Sequence, residues 1–446
     1  MRARPRAPLT LEPEELRRLG HRVVDAIVAH WEGLPDLPPI RTGDATALRA
    51  ALGGPPPSGP GDPDAALDTL LEQVVPHMQH GDHPRFFARV GSPSNPVSAL
   101  ADALGAGLNV FAGSWAGGSG PATLELVVLD WLRSWCGLPE HTGGILVSGG
   151  SVASLTALAA AREANPGRRR AIVSDQTHAS VTRALRLLAI EPVVLATDER
   201  QRLRAEDVAA ALDDETLCVV ATAGTTSTGS VDPIDAIADL CGDDVWLHVD
   251  GAYGAPTVLT ERGRAAMPGL ERADSLVLDP HKLLFQPYEI GCVLVREPGA
   301  LERAFTLFGD YLRDTYDGEE VNLRDRGPQL SRGSRALKLW LSVQVFGLDA
   351  FVAAIDRSLD LAERAQAAIE ASEKLELVTP AQLGIVTFAP RDGDAGALSA
   401  RVVDDGFTAP SSTVVGGRTV LRLCTINPRT TDDDLDRTVE RIASLA

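Results

Sequence analysis

Between about residues 144 and 296 the sequence alternates short apolar runs with stretches long enough for one helix each, and this rhythm restricts the fold more than any other feature. The runs cover 144–147, 171–174, 192–195, 218–222, 246–249, 275–278 and 292–296. They are apolar at nearly every position rather than at alternate ones, the pattern of strands buried on both faces of a mostly parallel sheet. Residues 151–163, 178–189 and 205–212 have the length and composition of crossover helices. The expected class is therefore α/β, with helices on both faces of the sheet. The link over 283–290 is too short for a crossover, which predicts a hairpin and one antiparallel strand at the last pair.

The flanks read differently. Leu16, Leu19, Val23, Val24, Ile27 and Trp31 recur at helical spacing and give an amphipathic helix over 11–32. The Pro/Gly-rich stretch 34–63 is expected to break regular structure, and helices are expected again over 64–77 and 99–110. Such a helical layer cannot bury its own apolar face, so it must dock on the next domain or on a second subunit. After a helix at 335–347, the tail reads as helix 350–372, strands 375–378 and 385–388, helix 395–405, strand 419–424 and helix 432–445. That is a small α+β unit. The division predicted is an N-terminal helical dimerisation segment (1–95), a large α/β domain (96–347) and a small C-terminal domain (348–446).

A net charge of −19 on 446 residues offers no electrostatic footprint for nucleic acid or an anionic membrane. No stretch approaches the roughly 18 apolar residues of a membrane span. The five cysteines are scattered and lack any C-x-x-C spacing, so neither a disulfide framework nor a metal site is indicated. A soluble, cytoplasmic protein is the expectation.

Residues with chemical potential collect at the predicted strand ends, where open α/β sheets bind ligands. Ser148-Gly149-Gly150-Ser151 follows the first strand; it could cradle a phosphate on a helix N-terminus, or be a tight turn with Ser151 as a helix cap. His178 follows the second strand; it could stack on a flat heteroaromatic ring and reach a carboxylate, or cap the next helix. The hydroxyl-rich turn 224–229 follows the fourth strand and could bind a cofactor or simply make a turn. Asp250 ends an apolar run, where a carboxylate needs a cationic partner: a protonated pyridine nitrogen or an arginine. Lys282 stands just past the sixth run, buried enough in expectation for a lowered pKa and Schiff-base chemistry. A Schiff-base lysine with an acidic partner for the ring nitrogen is what pyridoxal 5'-phosphate (PLP) asks of a protein.

Taken together, the motifs resemble the group II PLP-dependent amino-acid decarboxylases, fold type I, and most closely the aromatic L-amino-acid branch. The resemblance runs from residues 14–20 through His83-Pro84-Arg85-Phe86-Phe87, Ser174-Asp175-Gln176-Thr177-His178, Trp246-Leu247-His248-Val249-Asp250, Asp279-Pro280-His281-Lys282 and residues 337–340 to Leu421-Arg422-Leu423-Cys424. It implies an aspartate-aminotransferase-like large domain with a seven-stranded sheet. It also implies a homodimer with its active site at the subunit interface, and decarboxylation of an L-amino acid, aromatic by this resemblance, to a primary amine and CO2. By the same resemblance Gly150 and Ser151 bind the phosphate, and His178 stacks on the ring. Thr226, Asp250, Ala252 and His281 line the site, and Lys282 forms the Schiff base. Tyr311, on a loop that closes over the site, returns the proton to Cα; together with His178 it goes with simple decarboxylation rather than aldehyde formation. Arg422 could anchor a substrate carboxylate or join a structural ion pair.

Three places depart from the family pattern. Ser151-Val152-Ala153-Ser154 lacks the acidic residue usual at this helix start, and Arg89 and Val90 stand where the aromatic branch has aromatic pocket residues. The charged stretch 313–334 matches poorly. Alternative readings are another fold type I activity (aminotransferase or lyase), decarboxylation of a non-aromatic amino acid, and a non-catalytic PLP-fold scaffold.

Overall fold

The computed structural model describes residues 9–306 and 320–446. Helix α1 (Pro13–Gly33) starts with proline in its first turn, where the missing N–H costs nothing, and with Glu14 and Glu15 at the positive end of its dipole. Short helices α2 (Ala45–Leu52) and α3 (Pro63–Gln73) follow, capped by Asp44 and Asp62. Helix α2 lies inside the stretch expected to be irregular: Asp44 accepts a hydrogen bond from the Ala47 N–H and starts a helix between the prolines. Helices α4 (Pro96–Gly107) and α5 (Trp115–Trp135) lead into the sheet.

The large sheet holds β1 (Gly143–Val147), β2 (Arg170–Ser174), β3 (Glu191–Leu195), β4 (Thr216–Thr222), β5 (Trp246–Asp250), β6 (Ser275–Leu278) and β7 (Gly291–Val295). Their order is β1-β7-β6-β5-β4-β2-β3. All pairs are parallel except those of β7, which runs antiparallel to both β6 and β1, as the short link after Lys282 requires. Strands β4, β5, β6 and β7 are buried at every residue. That is why their sequences show no alternation.

Between the strands lie α6 (Gly150–Ala164), α7 (Ala179–Leu187), α8 (Ala205–Ala211), α9 (Ile234–Cys241) and α10 (Glu261–Ala266), with α11 (Ala300–Phe305) after β7. Helix α6 presents Ala153, Ala157, Ala160 and Ala161, all buried, so it packs closely on the sheet. Helices α12 (Ala336–Phe346) and α13 (Leu348–Glu370) connect to a second, antiparallel sheet. It consists of β8 (Leu375–Gln382), β9 (Ile385–Pro390), β10 (Ser411–Val415) and β11 (Arg418–Cys424) in the order β10-β11-β9-β8. Helices α14 (Ala395–Asp405) and α15 (Asp432–Leu445) cover it; α15 opens with a Thr431/Asp434 capping box. Strand β10 is additional to the sequence reading. Its exposed, alternating positions gave no apolar run.

The 83–87 segment joins the two ends of the chain. Phe87 is fully buried in the core of the small sheet, its N–H donates to the Ala409 carbonyl at 2.9 Å, and its carbonyl accepts from the Cys424 N–H at 3.1 Å. All five cysteines are free and buried. Among the described residues no single helix is long and apolar enough to cross a membrane.

Candidate active site

The carboxyl ends of β1, β2, β4, β5 and β6 open on a cavity of about 1200 Å³. Gly150, Ser151, His178, Thr226, Asp250, Ala252, His281 and Lys282 all line it, together with Arg89, Val90, Thr222, Asp279, Tyr288 and Arg422. Every predicted site residue among those described is thus brought to one place. Tyr311 lies outside the described residues.

The first turn is built for close approach. Gly149 has φ +154°, which other residues rarely adopt, and a Cβ on Gly150 would lie 2.9 Å from Asp279 Oδ2. No side chain caps helix α6, so Ser151 does not serve as its cap; the Val152 N–H donates to the Gly149 carbonyl, and those of Gly150 and Ser151 remain available to an anion. His178, by contrast, does both things asked of it. Its Nδ1 accepts from the Ser180 N–H at 3.2 Å and so caps α7, which leaves Nε2 as the protonated nitrogen of the neutral ring, while the imidazole lines the cavity. Desolvation lowers its pKa against the pull of Asp250. In the hydroxyl-rich turn, Thr225, Thr228 and Ser230 bond among themselves. Thr226 lines the cavity, and its carbonyl accepts from Arg422.

Asp250 is 6% exposed, and among the described residues its carboxylate accepts only from the Ala252 N–H, at 3.1 Å. No arginine among the described residues pairs with it. Arg422 is 4% exposed; its Nε has no partner, burial lowers its pKa, and no carboxylate among the described residues meets it. The structural ion pair open to each from sequence is absent among the described residues. Among the described residues the cavity therefore holds a buried acid and a buried base without ion-pair partners, a costly arrangement that a bound ligand of mixed charge would relieve.

Lys282 corrects the sequence expectation. Burial does lower its pKa, but the charge and hydrogen bond of Asp279, 2.9 Å from Nζ, and the charge of Asp250 outweigh burial, so the net shift is upward. Asp279, part of the Asp279-Pro280-His281-Lys282 motif, was given no role from the sequence, although it stands at the end of an apolar run as Asp250 does. The signal was there. The chain has only three lysines, Lys282, Lys338 and Lys374, and of these Lys282 alone lines the cavity. His281 accepts from the Ile290 N–H through Nδ1 and packs against Tyr288 with ring centres 5.1 Å apart.

Comparison with known proteins then decides the family. The model of the pyridoxal-dependent decarboxylase conserved domain matches residues 57–391. The chain belongs to this family. It is 42% identical to an aromatic-L-amino-acid decarboxylase of Bacillus atrophaeus, over 98% of this chain and 97% of that protein. It is 32% identical to a tyrosine decarboxylase of Oryza sativa subsp. japonica, over 95% and 89%. The crystal structure of Oryza sativa TDC with PLP and tryptamine superposes with a TM-score of 0.93 at 26% identity, covering 99% of both chains. As a pyridoxal-dependent decarboxylase the protein is a carboxy-lyase that uses PLP on an amino acid. The site fits the cofactor on its own evidence: an uncapped helix start for the phosphate, an unpaired buried carboxylate for the ring nitrogen, and one lysine at the cavity wall.

Proposed function

We propose that the substrate is an aromatic L-amino acid, released as its primary amine. The observation that carries this reading is the 42% identity, over nearly the whole chain, to an enzyme named for aromatic substrates. PLP, when bound, supplies the electron sink for the carbon that loses CO2. Lys282 holds it covalently, the N–H groups of Gly150 and Ser151 take its phosphate, and the Asp250 carboxylate keeps a proton on its ring nitrogen. His178 covers the ring face, while Thr226, Ala252 and His281 line the site. Arg422 orients the substrate carboxylate. Tyr311 returns a proton to Cα.

A second reading, decarboxylation of an amino acid with an anionic or hydrogen-bonding side chain, draws on Arg89. Its backbone sits at φ +57°, its N–H donates to Ser411 Oγ at 3.0 Å, and among the described residues its guanidinium meets only the neutral Gln79 Oε1, at 3.0 Å. A panel of L-amino acids scored for CO2 release separates the two readings. Tryptophan, tyrosine or phenylalanine should be turned over fastest, and Arg89→Ala should change their kcat/KM by less than about tenfold, the scale of one pocket contact. Preference for glutamate or aspartate, abolished by Arg89→Ala, would establish the second reading instead.

A homodimer is part of the proposal, with the active site at the subunit interface and the division 1–95, 96–347 and 348–446. No residue of α1 is buried within one chain, and Leu16, Val23, Val24 and Val28 are exposed, as are Leu100, Leu104 and Leu108 on and just after α4. Apolar surface of this extent marks an association face. Sedimentation equilibrium should give twice the chain mass, and the pair Val24→Glu with Val28→Glu should shift it toward one. A wild-type monomer at micromolar concentration would rule the dimer out. A reducing compartment, the cytoplasm, suits cysteines that are all free and buried.

A further inference from the structure

We infer that Asp279 is the positioning partner of Lys282, holding its ammonium group whenever the lysine is not bound to the cofactor. The inference rests on the reading of Lys282 as the cofactor lysine. Asp279 Oδ2 lies 2.9 Å from Lys282 Nζ and 3.6 Å from His281 Nε2. The carboxylate is 2% exposed, and its Oδ1 has no hydrogen-bond partner. It cannot move far: a Cβ on Gly150 would meet Oδ2 at 2.9 Å, and one on Gly291 would meet Oδ1 at 2.8 Å.

This position matters because Lys282 has two occupations during turnover. Bound to the cofactor, it is one side of a covalent link. Displaced by the substrate's amino group, it becomes a free amine in a cavity that also contains Arg89 and Arg422. An ammonium group left there without a partner would have no fixed place. Asp279, three residues earlier on the turn after β6, gives it one at its carboxylate while its carbonyl accepts from the Lys282 N–H at 2.9 Å, so the lysine is retained beside the site for the return step.

The other titratable groups facing this pair are Asp250 from β5, His178 ahead of α7, His281, Tyr288 from the β6–β7 link and Cys292 on β7. Lys338 on α12 acts at one remove, through His281. Of these Asp250 and, once ionised, Tyr288 turn negative charge toward Lys282, and the structure gives neither a hydrogen bond to its ammonium group. Asp279 is the dominant partner.

The neutral amine is the form that reacts with an acylating reagent. Removing the Asp279 charge while keeping its shape therefore raises the reactive fraction of Lys282, because burial then loses its largest opponent and is resisted by Asp250 and Tyr288 alone. The experiment uses full-length cofactor-free protein, trace acetic anhydride and mass spectrometry across the alkaline range in which the fold persists, with exposed Lys374 as the internal reference. In wild type Lys282 should label more slowly than Lys374. Asp279→Asn should raise its relative labelling about tenfold, the equivalent of one pH unit, while Asp279→Glu should leave it slow. Identical pH profiles for wild type and Asp279→Asn would overturn the inference. So would wild-type labelling of Lys282 as fast as that of Lys374, a result that needs no variant to fold. Addition of PLP to the same wild-type sample separates the two ideas: no visible absorption band would remove the cofactor assignment of Lys282, whereas a normal band with unchanged labelling profiles would remove only the role of Asp279.

Discussion

Lys282→Ala is expected to give a folded protein that shows no visible absorption band of lysine-bound PLP and whose rate of CO2 release falls by at least about 10³-fold. The size follows from the absence of any substitute. The chain has three lysines; Lys338 is 3% exposed and fixed by Asp102 at 2.7 Å and by the carbonyls of Pro287 and Glu289, and Lys374 does not line the cavity. Wild-type rates of CO2 release from the variant would remove Lys282 from the chemistry altogether. A second consequence concerns stability without cofactor. The folded pKa of Lys282 is raised, so its pairing with Asp279 stabilises the fold fully below the ordinary lysine value of about 10.4 and fades as pH rises through the folded value. At neutral pH the cofactor-free variant should therefore melt below wild type, because Asp279 is left buried without its cation. The difference should shrink toward strongly alkaline pH. Melting curves across that range check both parts.

The large sheet was legible because burial on both faces imposes a composition: β4 through β7 are buried throughout and mostly apolar, so seven strands and the antiparallel β7 could be placed from local runs and link lengths. Strand β10 was not, since two of its five residues are exposed and only Val415 is buried, and its partner β11 is fixed by tertiary contact. The site was legible for the same reason as the sheet. Gly150, His178, Thr226 and Lys282 follow strands and Asp250 ends one, and parallel strands deliver their ends to one edge. What could not be read was pairing. Asp279 and Lys282 are three residues apart, yet whether a lysine at that position is made less or more basic depends on where the carboxylate points, and the turn after β6 aims it at Nζ. Arg332 gave no signal of its own: it sits in the charged stretch that matches the family pattern poorly, and its side chain is fully buried.

Breaking the ion pair that buries Arg332 should cost about 3–5 kcal/mol, the usual penalty for leaving one charge unpaired in an interior. Its Nη1 and Nη2 donate to Glu125 Oε2 and Oε1 at 2.9 and 2.7 Å, with both side chains at 0% exposure. The guanidinium also donates to the carbonyls of Ala112 and Leu146, and Glu125 Oε1 accepts from the Leu146 N–H at 2.9 Å. Helix α5, strand β1 and the segment ahead of α12 are thus held at one point. Glu125→Gln and Arg332→Met should each lower the denaturant midpoint strongly. The double variant should lose less than the two losses added, because it leaves no orphaned charge. Leu146 is two residues before Ser148 and four before Gly150, so the same clamp sets where the β1 strand releases its turn. Glu125→Gln should accordingly weaken PLP retention during dialysis, even at temperatures where the variant remains folded. Strictly additive losses would show that the two residues act separately. Full PLP retention by a destabilised Glu125→Gln protein would confine the pair to stability and leave the phosphate turn to be positioned by Gly149, Gly150 and Gly291 alone.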